Sequence, residues 1–117
     1  MASFLTETEG TYQILQVAGR LDPSAGEALR AELDRLAAEP STSAVLVDLT
    51  GVDYMASAGF RELFLAGRKL ARNNSQLAVC GLSGEVKRVF ELAKFDTAYP
   101  IYATKEDALE DLRQKEG

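Results

Sequence analysis

Residues 54–60 read Tyr-Met-Ala-Ser-Ala-Gly-Phe, with a single hydroxyl, Ser57, among small residues. They follow a run that carries Asp48, Thr50 and Asp53 and precede a segment of helical spacing. A hydroxyl in this position can carry chemistry or cap the helix behind it. Attack needs a base beside the hydroxyl, and the chain has no histidine. The nucleophile-elbow pattern G-x-S-x-G also fails, because Met55 stands where its first glycine belongs. Neither glycine signature that cradles phosphates, G-x-x-x-x-G-K-S/T or G-x-G-x-x-G, occurs. One cysteine, Cys80, cannot build a thiolate cluster, and most carboxylates sit in mixed-charge helical stretches such as EDALEDLRQKE. The chain is therefore expected to be no enzyme and to carry neither cofactor nor metal. For Ser57 the ordinary reading of the residues is a helix cap contributing about 1 kcal/mol.

The elements that must position this segment alternate along the chain. Residues 3–8 and 11–19 form a candidate hairpin across Glu9-Gly10. Asp22 is placed to cap a helix with Pro23 at its first position, and Ala25, Leu29, Leu33 and Leu36 make its apolar stripe up to Pro40. Residues 44–49 read as a central strand covered on both faces. After the small-residue segment, Phe60, Leu63, Phe64, Gly67, Leu70 and Ala71 keep helical spacing until Asn73-Asn74. A strand at 77–81 holds Cys80 as a core residue. Ser83 caps a helix whose inward stripe is Val86, Val89, Phe90 and Ala93. A short strand at 99–103 and a helix opened by Thr104, with Ala108, Leu109 and Leu112 inward, complete the chain. The order ββαβαβαβα predicts an α/β fold, a mixed and mostly parallel sheet with helices packed against it.

At 117 residues and 46% hydrophobic content the chain fits one domain, residues 1–117. Its formal net charge of -5 argues against nucleic acid as a partner. No apolar run approaches the ~20 residues that span a bilayer, and residues 1–10 lack the basic and apolar regions of a signal peptide. A cytoplasmic protein without a membrane partner is expected.

The segments GRLDPSAGEALR, VLVDLTGVDYM and ASAGF, with the helix that follows, together resemble a STAS domain of the anti-sigma-factor antagonist family. The resemblance covers essentially the whole chain. It implies a STAS-type single domain that binds an ATP-dependent anti-sigma serine kinase while unphosphorylated and so frees a sigma factor. Phosphorylation of a serine at the helix start would inactivate it, and a phosphoprotein phosphatase would reset it. The frequent family form there is Asp-Ser-Ser-Gly, with the second serine as acceptor, whereas this chain has Ala56-Ser57-Ala58-Gly59. The common acceptor position is thus Ala58, and Ser57 is the one hydroxyl left, as in a second family form that ends Ser-Ala-Gly. Two outcomes stay open. Ser57 receives the phosphate, or the chain is a phosphorylation-independent STAS adaptor or structural module of a larger signalling or lipid-transport assembly.

The partner-contacting residues that the resemblance implies are Asp22, Asp53, Ala56, Ala58, Gly59 and Phe60. Local readings stand beside some of them: helix capping for Asp22, an apolar stripe for Phe60, and turn chemistry around Thr50-Gly51 for Asp48 and Asp53. Ser57 is expected to be exposed at a helix N-terminus, on one rim with Asp22 and Asp48.

Overall fold

The computed structural model of the chain describes residues 2–116. Strands β1 (Ala2–Glu9) and β2 (Tyr12–Leu21) form the expected antiparallel hairpin. A 3-10 turn (Pro23–Ala25) leads into α1 (Gly26–Ala37), followed by β3 (Ala44–Met55), α2 (Ser57–Arg72), β4 (Gln76–Cys80) and α3 (Gly84–Leu92). A second 3-10 turn (Phe95–Thr97), β5 (Ile101–Tyr102) and α4 (Lys105–Glu116) complete the order. The sheet runs β1-β2-β3-β4-β5, and every pairing after the hairpin is parallel, so helices must carry the chain back between strands. The architecture is the mixed α/β arrangement expected.

Alternation along β3 divides the core. Val45, Val47 and Leu49 pack with α1, α2 and α3 on one face of the sheet. Ala44 and Leu46 pack with Tyr12, Ile14 and the α4 residues Ala108, Leu109 and Leu112 on the other. A strand covered on both faces reads as a continuous apolar run, which is why residues 44–49 look as they do.

Three local expectations change. β3 does not stop near Leu49 but continues to Met55 beside the long partner β2, with register irregularities between Gln16 and Ala18 and between Gly19 and Arg20. Thr50-Gly51 therefore lies within the strand and not in a turn. The Thr50 amide and hydroxyl both donate to Asp48 Oδ1, at 3.0 and 2.6 Å. Gly51 lets β2 come close, since a β carbon there would lie 2.9 Å from Ala18 Cβ. On α3, only Val86 and Phe90 are buried; Val89 is 38% exposed, and Ala93 lies beyond the helix end and is exposed. Likewise Ala71 faces out on α2, and Ala66 is buried in its stead.

Cys80 is fully buried on β4, as expected for a core residue. Burial, then the charge of Asp48 and a hydrogen bond with it, pushes the thiol from 9.0 up to about 12. Burial and the Glu116 hydrogen bond push the Tyr12 phenol up to about 12 as well. Both groups keep their protons in the folded chain at pH values where the unfolded chain has lost them. Their stabilising contribution is intact below about pH 9 and drains away as pH rises towards about 12. Urea midpoints should therefore fall through this alkaline window, and Tyr12→Phe should flatten the decline; a midpoint independent of pH there would refute the assignment.

Candidate functional site

The segment around Ser57 is the hinge between β3 and α2. Met55 is the last strand residue, and Ala56 stays extended (φ -77°, ψ 160°) as the residue preceding the helix. The Ala56 amide donates to Leu21 O at 2.7 Å, and its carbonyl accepts from the Gly59 and Phe60 amides at 3.0 and 3.4 Å. Ala56, and not Ser57, thus holds the cap position, and no side chain caps this helix. Ser57 is the first helical residue and is exposed. The capping reading of Ser57 is corrected by one position. Because the first amides of a helix have no partner within it, those of Ser57 and Ala58 make no backbone hydrogen bond among the described residues.

The small residues serve close packing. Gly59 is buried, and a β carbon there would lie 3.3 Å from Met55 Cγ and 3.7 Å from Leu21 Cβ. Ala58 sits against the start of α1, where a β carbon on Gly26 would be 3.5 Å from Ala58 Cβ. Asp22 stands before the neighbouring 3-10 turn and accepts from Ser24 Oγ at 2.7 Å and the Ala25 amide at 3.1 Å. The cap expected of Asp22 is formed, though on the 3-10 turn that precedes α1. The Ser24 hydrogen bond, aided by the Ala25 amide, holds its carboxyl below the ordinary aspartate range.

Beside Ser57 opens a shallow apolar groove of about 640 Å³. Met55, Phe60 and Phe64 line its α2 side, Val89 and Ala93 its α3 side, and Ser57, Tyr54 and Arg61 are polar groups along it. Phe60 is only 8% exposed, so it belongs to the core and also lines the groove. Its ring lies 4.5 Å from Phe90 and 5.5 Å from Phe95, centroid to centroid. Leu92, 73% exposed, extends the apolar character of α3. Asp53 is exposed and lines an adjoining cavity of about 280 Å³ with Arg20, Glu85 and Val86; both cavities share Tyr54, Met55 and Val89. The Arg20 guanidinium lies 4.4 Å from the centre of the Tyr54 ring.

The structure thus brings Ser57, Ala56, Phe60 and, through Gly26, the Asp22 turn to one end of the α1–α3 face. It does not bring Asp48 there. Alternation in β3 turns Asp48 to the α4 face, where it lines a cavity with Gly81, Thr104 and Lys105. The expectation of one rim shared by Ser57, Asp22 and Asp48 is corrected accordingly, because β3 runs past Asp48 and does not end there. Sequence reasoning missed Tyr54, Arg61, Phe64, Val89 and Ala93 as groove residues. For Val89 and Ala93 the spacing carried no signal, because Val86, Val89, Phe90 and Ala93 follow the i, i+3, i+4, i+7 pattern of one core-facing stripe. Among the described residues, no group of three or more His, Cys, Asp and Glu side chains is arranged to hold a metal, and no helix is long and apolar enough to cross a membrane.

Comparison with known proteins gives the site a context. The STAS domain profile matches residues 4–108. The chain is 31% identical over 90 residues, 77% of each chain, to BtrV of Bordetella bronchiseptica, a candidate anti-sigma factor antagonist by name. It superposes on the crystal structure of an anti-sigma factor antagonist from Mycobacterium paratuberculosis with a TM-score of 0.89 and 25% identity, covering 97% of this chain and 95% of that one. The phosphorylated form of the Bacillus cell fate determinant SpoIIAA shares the fold at 19% identity, with a TM-score of 0.75 and coverage of 94% and 99%. With the profile spanning nearly all of the hairpin, the parallel sheet and the helices that frame Ser57, the chain belongs to the STAS domain family.

Proposed function

We propose that this chain is a cytoplasmic anti-sigma-factor antagonist that docks an ATP-dependent anti-sigma serine kinase over the start of α2 and the adjoining groove, and that phosphorylation of Ser57 ends the complex. The observation that carries this reading is the placement of Ser57: an exposed hydroxyl, spared from capping, at the edge of an apolar groove. The names of its relatives support it. The kinase would transfer the γ-phosphoryl group of ATP to Ser57 Oγ, breaking the bond between the β and γ phosphates, releasing ADP and taking up the hydroxyl proton. A phosphoprotein phosphatase would return the serine by hydrolysis. Ala56, Ala58 and Gly59 keep the backbone low so that the partner can come close, Phe60 supplies apolar surface, and Asp22 and Asp53 flank the contact. A phosphate brings a charge of about -1.5 to -2 into a contact that must shed its water. That charge penalises apolar docking.

The test is incubation with the cognate kinase and ATP, followed by site mapping and binding measurements. One phosphate on residue 57 is expected, absent in Ser57→Ala. Since Ser57 does not cap, Ser57→Ala should fold with stability within about 0.5 kcal/mol of the parent and retain kinase binding. Ser57→Asp should bind at least about tenfold more weakly, about 1.4 kcal/mol. Phosphate on Ser41, Ser43 or Ser83 with residue 57 unmodified, or a Ser57→Asp variant as tight as the parent, would remove the switch. Ala58 at the common acceptor position favours the second reading, a STAS adaptor that binds without phosphorylation control, and those outcomes would select it.

A further inference from the structure

We infer that Arg61 is the internal counter-ion of phosphorylated Ser57 and that pairing draws its side chain across the apolar groove. The inference rests on the reading of Ser57 as a phosphoacceptor and names how that modification acts within the chain. Ser57 and Arg61 stand four residues apart on α2, one turn of helix, and both line the same groove. Residues at this spacing have β carbons about 5–6 Å apart, and an anion placed N-terminal to its cation is the better orientation. Arg61 is exposed and makes no ion pair among the described residues, unlike Arg30, Arg35 and Arg113.

Each of the other charges at this end of the molecule has its own surroundings. Arg20 lies over Tyr54, Asp22 accepts from Ser24 and Ala25, and Asp53 and Glu85 line the adjoining cavity with Arg20. A guanidinium makes strong, directional hydrogen bonds to phosphate oxygens. The free amides of Ser57 and Ala58 favour the same anion from the other side. With its head held at residue 57, the Arg61 stem covers the edge of Phe60 and Phe64 that an incoming apolar side chain would use. Phosphorylation then closes the groove from within in addition to adding charge.

The experiment uses the full chain with phosphoserine incorporated at residue 57 during synthesis, so that no kinase is involved. Phosphorus NMR titration should give the phosphoserine a second pKa lower in the parent than in Arg61→Gln by at least about 0.3. Arg61→Lys should recover part of that difference. Kinase binding should be weakened by the phosphate at least about threefold less in Arg61→Gln than in the parent, about 0.7 kcal/mol of difference. Coincident titration curves for the parent and Arg61→Gln would overturn the pairing, whatever the kinase does. Conversely, a kinase that leaves Ser57 unmodified would overturn the proposed function while the titration difference still stands.

Discussion

Phe95→Ala is expected to lower the free energy of unfolding by about 3–5 kcal/mol, a large part of the stability of a small domain. Phe95 sits in the short turn after α3, where a side chain is usually exposed, yet it is fully buried. Its ring is 4.8 Å from Phe90, 4.9 Å from Phe64, 5.1 Å from Tyr99 and 5.5 Å from Phe60. Removing it forfeits the transfer of a whole aromatic side chain, leaves a cavity among rings too large to collapse into it, and cancels several edge-to-face contacts worth about 0.5–1.5 kcal/mol each. Urea unfolding should show a lower midpoint at unchanged slope. Under the proposed docking, kinase binding should weaken in the folded fraction too, because Phe60 and Phe64 lose the support that holds them under the groove. Leu92→Ala supplies the contrast, since this exposed side chain on the same helical unit should change stability by no more than about 0.5 kcal/mol. A Phe95→Ala loss below about 1.5 kcal/mol would mean that the aromatic cluster is far looser than its centroid distances indicate.

Gly81→Ala is the second large effect, with an expected loss of about 3 kcal/mol or more. Gly81 links β4 to α3 with a φ of +79°, a conformation that costs a residue with a β carbon about 1–2 kcal/mol. Space is the greater obstacle. A β carbon there would overlap Thr50 Oγ1, lie 2.8 Å from the Thr50 backbone nitrogen and 2.9 Å from Asp48 Oδ1. Relief requires the irregular part of β3 to move and the Thr50–Asp48 hydrogen bonds to break. Gly84→Ala separates the two causes: its φ is +55°, but nothing lies within 4 Å of the added carbon. It should lose only the conformational part, about 1–2 kcal/mol. Equal losses at the two glycines in thermal or urea unfolding would show that the contact with Thr50 can be relieved without strain.

The sheet and the helices were legible because each has a local signature. The alternation of strand and helix periods, Asp22-Pro23 before α1, Thr104 Oγ1 accepting from the Asp107 amide before α4, and Asn73-Asn74 after α2 are all decided by residues close in sequence. The length of β3 was not legible from residues 50–55, because what keeps that segment extended is the second half of β2, some thirty residues earlier. Ser57 was legible as an exposed hydroxyl at a helix start. Its register was not, because an extended alanine holds the cap position here without any side-chain hydrogen bond, its amide donating to the Leu21 carbonyl. The groove was least legible. Val89 and Ala93 have the chemistry of core residues, and only the absence of a covering element, a fact of tertiary packing, places them at the surface.

On the proposed docking over the groove, the sharing of Phe60 and Phe64 between the core and the groove sets a constraint on how partner choice can change. A substitution beneath the contact alters stability as well as affinity, so that region is poorly suited to distinguishing one partner from another. Val89, Leu92 and Tyr54, exposed outside the core, carry no such burden. Copies of this domain serving parallel circuits in one cell would therefore keep a common aromatic base and acquire their separate allegiances along α3 and at the end of β3, which makes those few positions the natural ones to exchange when insulated signalling channels are built.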